Sequence, residues 1–257
     1  MILYKSAEEI DIIREGAEIL GKAHGEVAKL VKPGVKTKVL DQVAEEFISD
    51  YKGIPSFKGY NGFPSTLCIS VNENVVHGFP GDYELMDGDI VSIDCGVLYR
   101  GYHSDSAFTY PVGEVNSDVM NLLKVTKESL YIGIENARCS QRIGDIGFAI
   151  QQHVEKSGFS IVRELVGHGL GNDLHESPEV PNYGKRGKGV KMQNGLVIAI
   201  EPMVNMGKKN VVQESDGWTI RTKDRLPSAH FEHTVVVLHT GTKILTTHKY
   251  IEEVFKF

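Results

Sequence analysis

Four carboxylates and one histidine stand at or beside the ends of apolar, β-type runs, and that pattern carries the chemistry of this sequence. Asp94 closes Ile90-Val91-Ser92-Ile93. A carboxylate there is drawn toward the interior, where an unpaired charge is costly. Eleven residues later Asp105 lies in Gly101-Tyr-His-Ser-Asp105-Ser, ahead of a second β-type run. A hairpin with a two-residue loop at Tyr99-Arg100 sets Asp94 directly opposite Asp105, with Cβ atoms ~5 Å apart. A bulge at Gly101 instead slips the pairing by one and sends the two to opposite faces. Like charges that close require a shared proton or a divalent cation. Glu201 ends the run Leu196-Val-Ile-Ala-Ile200 with Pro202 behind it, and Glu232 opens Glu232-His-Thr-Val-Val-Val. His168 sits in Gly167-His168-Gly-Leu-Gly171, read as a glycine-flanked loop that frees the ring to face a cavity. The five together form a hard, oxygen-rich set. Their four negative charges match two divalent cations with a bridging hydroxide to spare. Pairs of Mn, Co, Fe or Zn, roughly 3.5–4 Å apart and able to activate water, suit such ligands.

The elements that must position these groups follow from hydrophobic period. Ser6 with Glu9 fits a capping box. Ile10, Ile13, Ala17, Leu20, Ala23, Val27 and Leu30 then step by three and four until Pro33-Gly34 stops the helix. A second amphipathic stretch follows Thr37, with Leu40, Val43, Phe47 and Tyr51 on one face. Residues 66–112 change to short β-type runs broken by Gly and Pro. Helical periodicity returns at 117–138 and 146–156, and strands follow at 161–166, 196–203, 211–213, 218–222, 232–238 and 243–245. Helices then strands, twice, with no Pro-, Gly- or Ser-rich linker, predict a single α+β domain of two similar halves, about 1–115 and 116–257. An internal match supports the halves. Gly88-Asp-Ile-Val-Ser-Ile-Asp94-Cys-Gly-Val97 aligns with Gly195-Leu-Val-Ile-Ala-Ile-Glu201-Pro-Met-Val204 at a constant offset of 107 residues.

Composition bounds the function classes. The 257 residues are 41% hydrophobic and 24% charged, ordinary for a globular chain that needs no staples. Lys plus Arg is 28 against 34 Asp plus Glu, a formal net charge of −6, which argues against a general nucleic-acid binder. Cys68, Cys95 and Cys139 are odd in number and widely spaced, the usage of reduced cytoplasmic thiols. The first four residues are too short an apolar run for a signal peptide, and no stretch of 18 apolar residues suggests a membrane span. G-x-S-x-G, G-x-x-x-x-G-K-[ST], H-E-x-x-H and G-x-G-x-x-G are all absent.

The motif set resembles the type I methionine aminopeptidases in order and approximate spacing over essentially the whole chain. It comprises Ser70-Val-Asn-Glu-Asn-Val-Val-His77-Gly, Ser92-Ile-Asp94-Cys-Gly, Gly101-Tyr-His-Ser-Asp105, Gly167-His168-Gly-Leu-Gly with His175-Glu-Ser-Pro, Ile200-Glu201-Pro-Met and Phe231-Glu232-His-Thr. The resemblance implies the pseudo-twofold pita-bread fold, a curved antiparallel sheet covered by helices. It implies removal of the initiator methionine from nascent proteins and peptides with a small second residue. Carried over, Asp94 holds one metal, Asp105 and Glu232 bridge both, and His168 and Glu201 complete the other. A hydroxide between the metals attacks the scissile carbonyl, and Glu201 carries the proton. His175 donates to the carbonyl oxygen, and His77 contacts the substrate near the scissile amide. Tyr60, Phe63, Cys68, Leu174 and Trp218 fall where the family lines its methionine pocket. Phe63 and Leu174 depart from the Tyr and Phe often found there. A monovalent cation near Asn72 and Ser228 is implied by the same analogy.

Two rivals share this fold. Xaa-Pro peptidases usually carry a separate N-terminal domain, and here the catalytic pattern begins within the first hundred residues. Type II methionine aminopeptidases carry an insertion in the second half, whereas His168 to Glu201 spans 33 residues and Glu201 to Glu232 only 31. A non-catalytic binding module is a third reading, set against by the five intact ligands. His103, His230 and His233 flank the motifs and are given no catalytic role. Lys185-Arg-Gly-Lys188-Gly-Val-Lys191 and Lys208-Lys209 form a basic loop set, read first as a solvated face and second as a transient ribosome contact. The expected protein is a cytoplasmic monomer with no membrane and no specific nucleic-acid partner.

Overall fold

A computed structural model of the chain describes residues 1–255. Its first part runs α1 (Ala7–Ala28), α2 (Thr37–Asp50), β1 (Ile54–Pro55), a 3-10 turn (Tyr60–Gly62), β2 (Leu67–Val71), β3 (Asn74–Val76), β4 (Ile90–Tyr99) and β5 (Tyr102–Pro111). Two helices follow, α3 (Ser117–Asn136) and α4 (Ile143–Lys156). Then come β6 (Ser160–Ile161), β7 (Gly167–Gly169), β8 (Glu176–Val180), β9 (Leu196–Ile200), β10 (Met203–Asn205) and β11 (Val211–Gln213). The described chain closes with β12 (Ile220–Thr222), β13 (Ser228–His230), β14 (His233–Leu238), β15 (Gly241–Ile244) and α5 (Lys249–Glu252). Helix pairs alternate with strand runs, as the periodicity predicts.

The start of α1 follows from its first residues. Ser6 Oγ accepts from the Glu9 N–H and Glu9 Oε2 accepts from the Ser6 N–H, so the expected capping box is formed. Leu20, Ala23 and Val27 are buried against the sheet built on β4 and β5, while Ile13 packs with Leu170, Val197, Ala199 and Val236 of the second half, and Ala17 is fully buried between. In α2 the core face is Leu40, Ala44 and Ile48, one step round from the expected Leu40, Val43, Phe47 and Tyr51. Phe47 and Tyr51 instead stack on each other at the rim, ring centroids 4.5 Å apart, and Tyr51 is exposed. Small Ala44 lets the helix sit close, which a reading weighted toward large residues overlooks.

Two antiparallel sheets carry the site. In the first, β4 is central: β5 lies along one edge, and β2 and β1 lie in tandem along the other. In the second the order is β15-β14-β9-β7-β8. Side chains and backbone stitch the two together along β5. Thr234 Oγ1 accepts from the Asp105 N–H at 3.0 Å and donates to the Asp105 carbonyl at 2.8 Å. The Glu232 N–H donates to the Ala107 carbonyl at 2.9 Å, and Ser106 Oγ donates to the Glu232 carbonyl at 3.0 Å. Helices α1 and α2 cover the first sheet, and α3 and α4 pack against strands of the second half.

Candidate metal centre and substrate cavity

The hairpin of β4 and β5 turns at Arg100-Gly101, not at Tyr99-Arg100. Tyr99 pairs with Tyr102, and the two loop residues have φ of +50° and +86°. Positive φ at both positions is the turn whose twist matches the strands, and glycine supplies the second at no steric cost. The register is therefore two residues away from the expected one. Asp94 faces Ala107, and Asp105 faces Gly96. A shift of two keeps both carboxylates on one face, now as diagonal neighbours. The bulge at Gly101, which would have parted them, does not form. Cys68 pairs with Asp94 from the other edge and so joins the same face. Gly96 leaves room there: a Cβ would stand 2.8 Å from Ser56 Cβ and 2.9 Å from Phe57 Cε1.

The second sheet delivers the other candidate ligands from neighbouring strands. His233 pairs with Ile200, and one further step in that register brings Glu232 alongside Glu201. Pro202 ends β9 there, having no N–H to continue the ladder. His168 lies within β7, which corrects the expectation of a loop. Its flanking glycines serve close strand approach. A Cβ on Gly167 would stand 2.4 Å from the Ala199 carbonyl, and one on Gly169 2.5 Å from that of Ser177. His168 Nδ1 lies 2.9 Å from the Gly169 carbonyl, so it carries the proton and Nε2 is the free ligand atom.

Five side chains thus converge. Ligand atoms of Asp105, His168 and Glu232 all lie within 4.8 Å of one another. Glu201 Oε1 is 3.6 Å from His168 Nε2, and the Asp94 carboxyl is within hydrogen-bonding reach of those of Asp105 and Glu232. Burial pushes the Asp94 carboxyl up to about 7 and that of Glu201 up to about 8. Burial and then the neighbouring carboxylates hold Asp105 and Glu232 well above the usual carboxylate range. Burial also pushes His168 down to about 3 and His77 to about 4, leaving neutral imidazoles. Asp94 Oδ1, Asp105 Oδ1 and Glu232 Oε1 are buried without a hydrogen-bond partner. Acidic groups that repel one another, orphaned lone pairs and a neutral ring nitrogen are what a divalent cation resolves, so the donor set fits one.

A cavity of about 370 Å³ opens onto this cluster, lined by all five side chains and by Tyr60, Phe63, Cys68, His77, Leu174, His175 and Trp218. Every catalytic, metal and substrate-binding residue expected from the sequence is on its wall. Phe57 and Asn61 line it too and were not expected. Their signal was proximity to Tyr60 in an aromatic, glycine-bearing stretch. Phe57, Phe63, Cys68 and Leu174 form a separate buried apolar cluster, with Trp218 edge-on to Phe63 at 5.3 Å between centroids. His77 has a φ of +60°, an unusual backbone for a non-glycine residue, just after β3. His175 Nδ1 is 2.9 Å from Tyr60 Oη, and its ring centroid is 4.2 Å from that of His168.

Of the flanking histidines, His103 Nδ1 bonds Ser56 Oγ at 2.9 Å and His233 Nδ1 bonds Thr246 Oγ1 at 2.8 Å. His230 is different: fully buried, with neither nitrogen hydrogen-bonded, it stands 3.5 Å from Glu201 Oε2. Asn72 and Ser228 lie outside the cavity, joined by a 2.9 Å bond from the Ser228 N–H to the Asn72 carbonyl. The cysteines are unbridged. Among the described residues no helix is long and apolar enough to cross a membrane.

Comparison with known proteins agrees with this geometry. Metallopeptidase family M24 matches residues 11–239. The methionine aminopeptidase of Clostridium perfringens is 52% identical over 246 residues, covering 96% of this chain and 99% of that one. The crystal structure of the methionine aminopeptidase of Thermotoga maritima superposes with a TM-score of 0.94 at 41% identity, covering 96% of this chain and all of the other. Prolidase from Pyrococcus furiosus, at 24% identity and a TM-score of 0.77, shares the fold, and this chain covers 65% of it. The fold is the pita-bread fold, and the chain belongs to metallopeptidase family M24, among its methionine aminopeptidases.

Proposed function

We propose that this chain releases N-terminal methionine from nascent polypeptides and peptides with a small second residue, using two divalent ions held by Asp94, Asp105, His168, Glu201 and Glu232. The observation that carries the reading is the convergence of these five side chains at the floor of an apolar cavity. When bound, the ions supply Lewis acidity toward the scissile carbonyl and lower the pKa of water. Asp105 on β5 and Glu232 just before β14 would be shared by the two ions; Asp94 would complete one, and His168 with Glu201 the other. The Glu201 carboxylate, on the cavity wall beside His168, takes the proton of the attacking water and returns it to the leaving amine. With the Tyr60 hydroxyl donating to Nδ1 of His175, Nε2 carries the ring proton and donates to the carbonyl oxygen as negative charge develops. His77 meets the substrate beside the scissile amide. Phe57, Phe63, Cys68, Leu174 and Trp218 enclose the methionine side chain, whose polarizable thioether suits soft and aromatic walls.

The chain is read as one catalytic domain of two similar halves, supported by the matching positions of Gly88 and Gly195, with φ of +91° and +85°, each ahead of a strand that leads to a site carboxylate. We place the chain in the cytoplasm, the compartment its free cysteines suit, and read it as a monomer. Exposed Lys185, Lys188, Lys191, Lys208 and Lys209 are the surface for a transient ribosome contact. Metal-loaded protein is tested on Met-Gly, Met-Ala, Met-Leu and Ala-Pro peptides by mass spectrometry. Release of Met from the first two, and little from the others, is expected. Cleavage of Ala-Pro alone would assign the chain to Xaa-Pro chemistry, and no cleavage with any divalent metal would leave a binding module.

A further inference from the structure

Lys5 precedes α1, and its side chain turns inward. The ammonium lies 2.6 Å from Glu176 Oε2, with the two side chains only 2% and 5% exposed. Glu176 opens β8 directly after His175. Its other oxygen, Oε1, accepts from the Asp173 N–H at 3.4 Å. One carboxylate thus ties the two ends of loop 173–176, which carries Leu174 and His175 on the cavity wall.

The surroundings are shaped for the lysine. A Cβ on Gly171 would stand 2.1 Å from Lys5 Cε and 2.5 Å from Nζ, so a larger residue there would push the ammonium from its place beside Glu176. The Lys5 N–H donates to the Gly195 carbonyl at 2.7 Å, and a Cβ on Gly195 would stand 2.6 Å from the Lys5 carbonyl. The backbone of Lys5 is therefore fixed to the start of β9, the strand that leads to Glu201. Its side chain reaches the loop that carries His175. A buried ion pair is a poor device for stability alone, since apolar groups of similar volume often serve as well. It does fix a direction, which apolar packing does less sharply.

We propose that Lys5 and Glu176 are positioning residues for the reaction. The pair holds His175, and with it Leu174, in fixed relation to Glu201 across the cavity. This rests on the role given above to His175. A displacement of about 1 Å at a reacting group can cost on the order of a hundredfold in rate, which sets the scale.

The test uses the metal-loaded full chain and four variants: Lys5→Met, Lys5→Arg, Glu176→Gln and the double variant Lys5→Met/Glu176→Leu. Release of Met from a Met-Ala-Ser peptide gives kcat and KM, and calorimetry gives metal stoichiometry and the thermal midpoint. Each single removal is expected to lower kcat by about 10- to 100-fold, with KM moving less and metal stoichiometry unchanged. Arg at position 5 recovers part of the loss. The double variant, free of an unpaired buried charge, regains the thermal midpoint without regaining kcat. If the double variant regains both, or the single variants keep wild-type kcat, the pair is merely structural and the proposal falls. Should the single variants fail to fold, the double variant decides. A wild-type chain that releases no Met from any peptide overturns the reading of the site itself, a different outcome from active wild type with indifferent variants.

Discussion

Replacing Asp94 by Asn should stabilise the metal-free protein at alkaline pH while destroying its response to metal. Burial pushes the Asp94 carboxyl from an ordinary 3.8 to about 7. A carboxyl whose pKa is raised on folding contributes its full stability below the unfolded value and loses it as pH climbs toward the folded one. For Asp94 that window runs from 3.8 to about 7, and for Glu201, raised from 4.5 to about 8, it extends higher. Between pH 5 and 7 the Asp94 share amounts to about 2 to 3 kcal/mol, at 1.36 kcal/mol per unit. The Asn variant lacks that share, because its amide does not titrate, while its carbonyl still accepts from a protonated Asp105 or Glu232. Urea unfolding of chelator-treated protein at pH 5 and pH 8 measures the difference. Wild type should lose stability over this interval, and the Asn variant should lose about 2 to 3 kcal/mol less. Excess divalent metal should then restore the wild type, by about 2.7 kcal/mol at a hundred times Kd, and do much less for the variant. Equal pH slopes in the two proteins, or a wild type that grows more stable toward pH 8 without metal, would refute the reasoning.

Other consequences are equally direct. Asp105→Ala or Glu232→Ala each removes a ligand proposed to serve both ions and should cut Met release by more than about a hundredfold, read by peptide assay beside metal analysis; substantial residual turnover would mean the roles are misassigned. His175→Ala should lower kcat by about a hundred- to a thousandfold with metal content unchanged, and a loss confined to KM would remove it from the carbonyl. Gly167→Ala drives a Cβ to 2.4 Å from the Ala199 carbonyl, so β7 must shift, with an expected cost of about 1 to 3 kcal/mol in urea unfolding and a fall in activity as His168 moves; an unchanged midpoint would show that the strands yield freely.

The five proposed ligands were legible because each adjoins or closes a run whose composition already implied a strand. Apolar runs at 90–93, 196–200 and 234–237 fix which way a side chain must face once one side of the sheet is buried. What could not be read was the spacing between elements. The hairpin turned at Arg100-Gly101 because backbone twist favours two residues of positive φ there, and only the even size of the resulting shift kept Asp94 and Asp105 together. β7 was invisible as a strand: three residues, two of them glycine, carry no alternation, and their strand character comes from neighbours close enough to forbid a Cβ. The face of α2 was misjudged because Ala44 weighs little in a hydrophobic pattern yet sits fully buried. His230 and the Lys5–Glu176 pair depend on contacts between segments far apart in the chain, which no local pattern encodes.

The central claim is that side chains from two sheets meet on a pair of cations. Anomalous diffraction from crystals grown with manganese, recorded at its absorption edge, tests it most directly. Two peaks are predicted in the cavity, one beside Asp94 and one beside His168 and Glu201, with Asp105 and Glu232 reaching both. Fewer than two peaks there, or peaks held by other residues, would contradict the account.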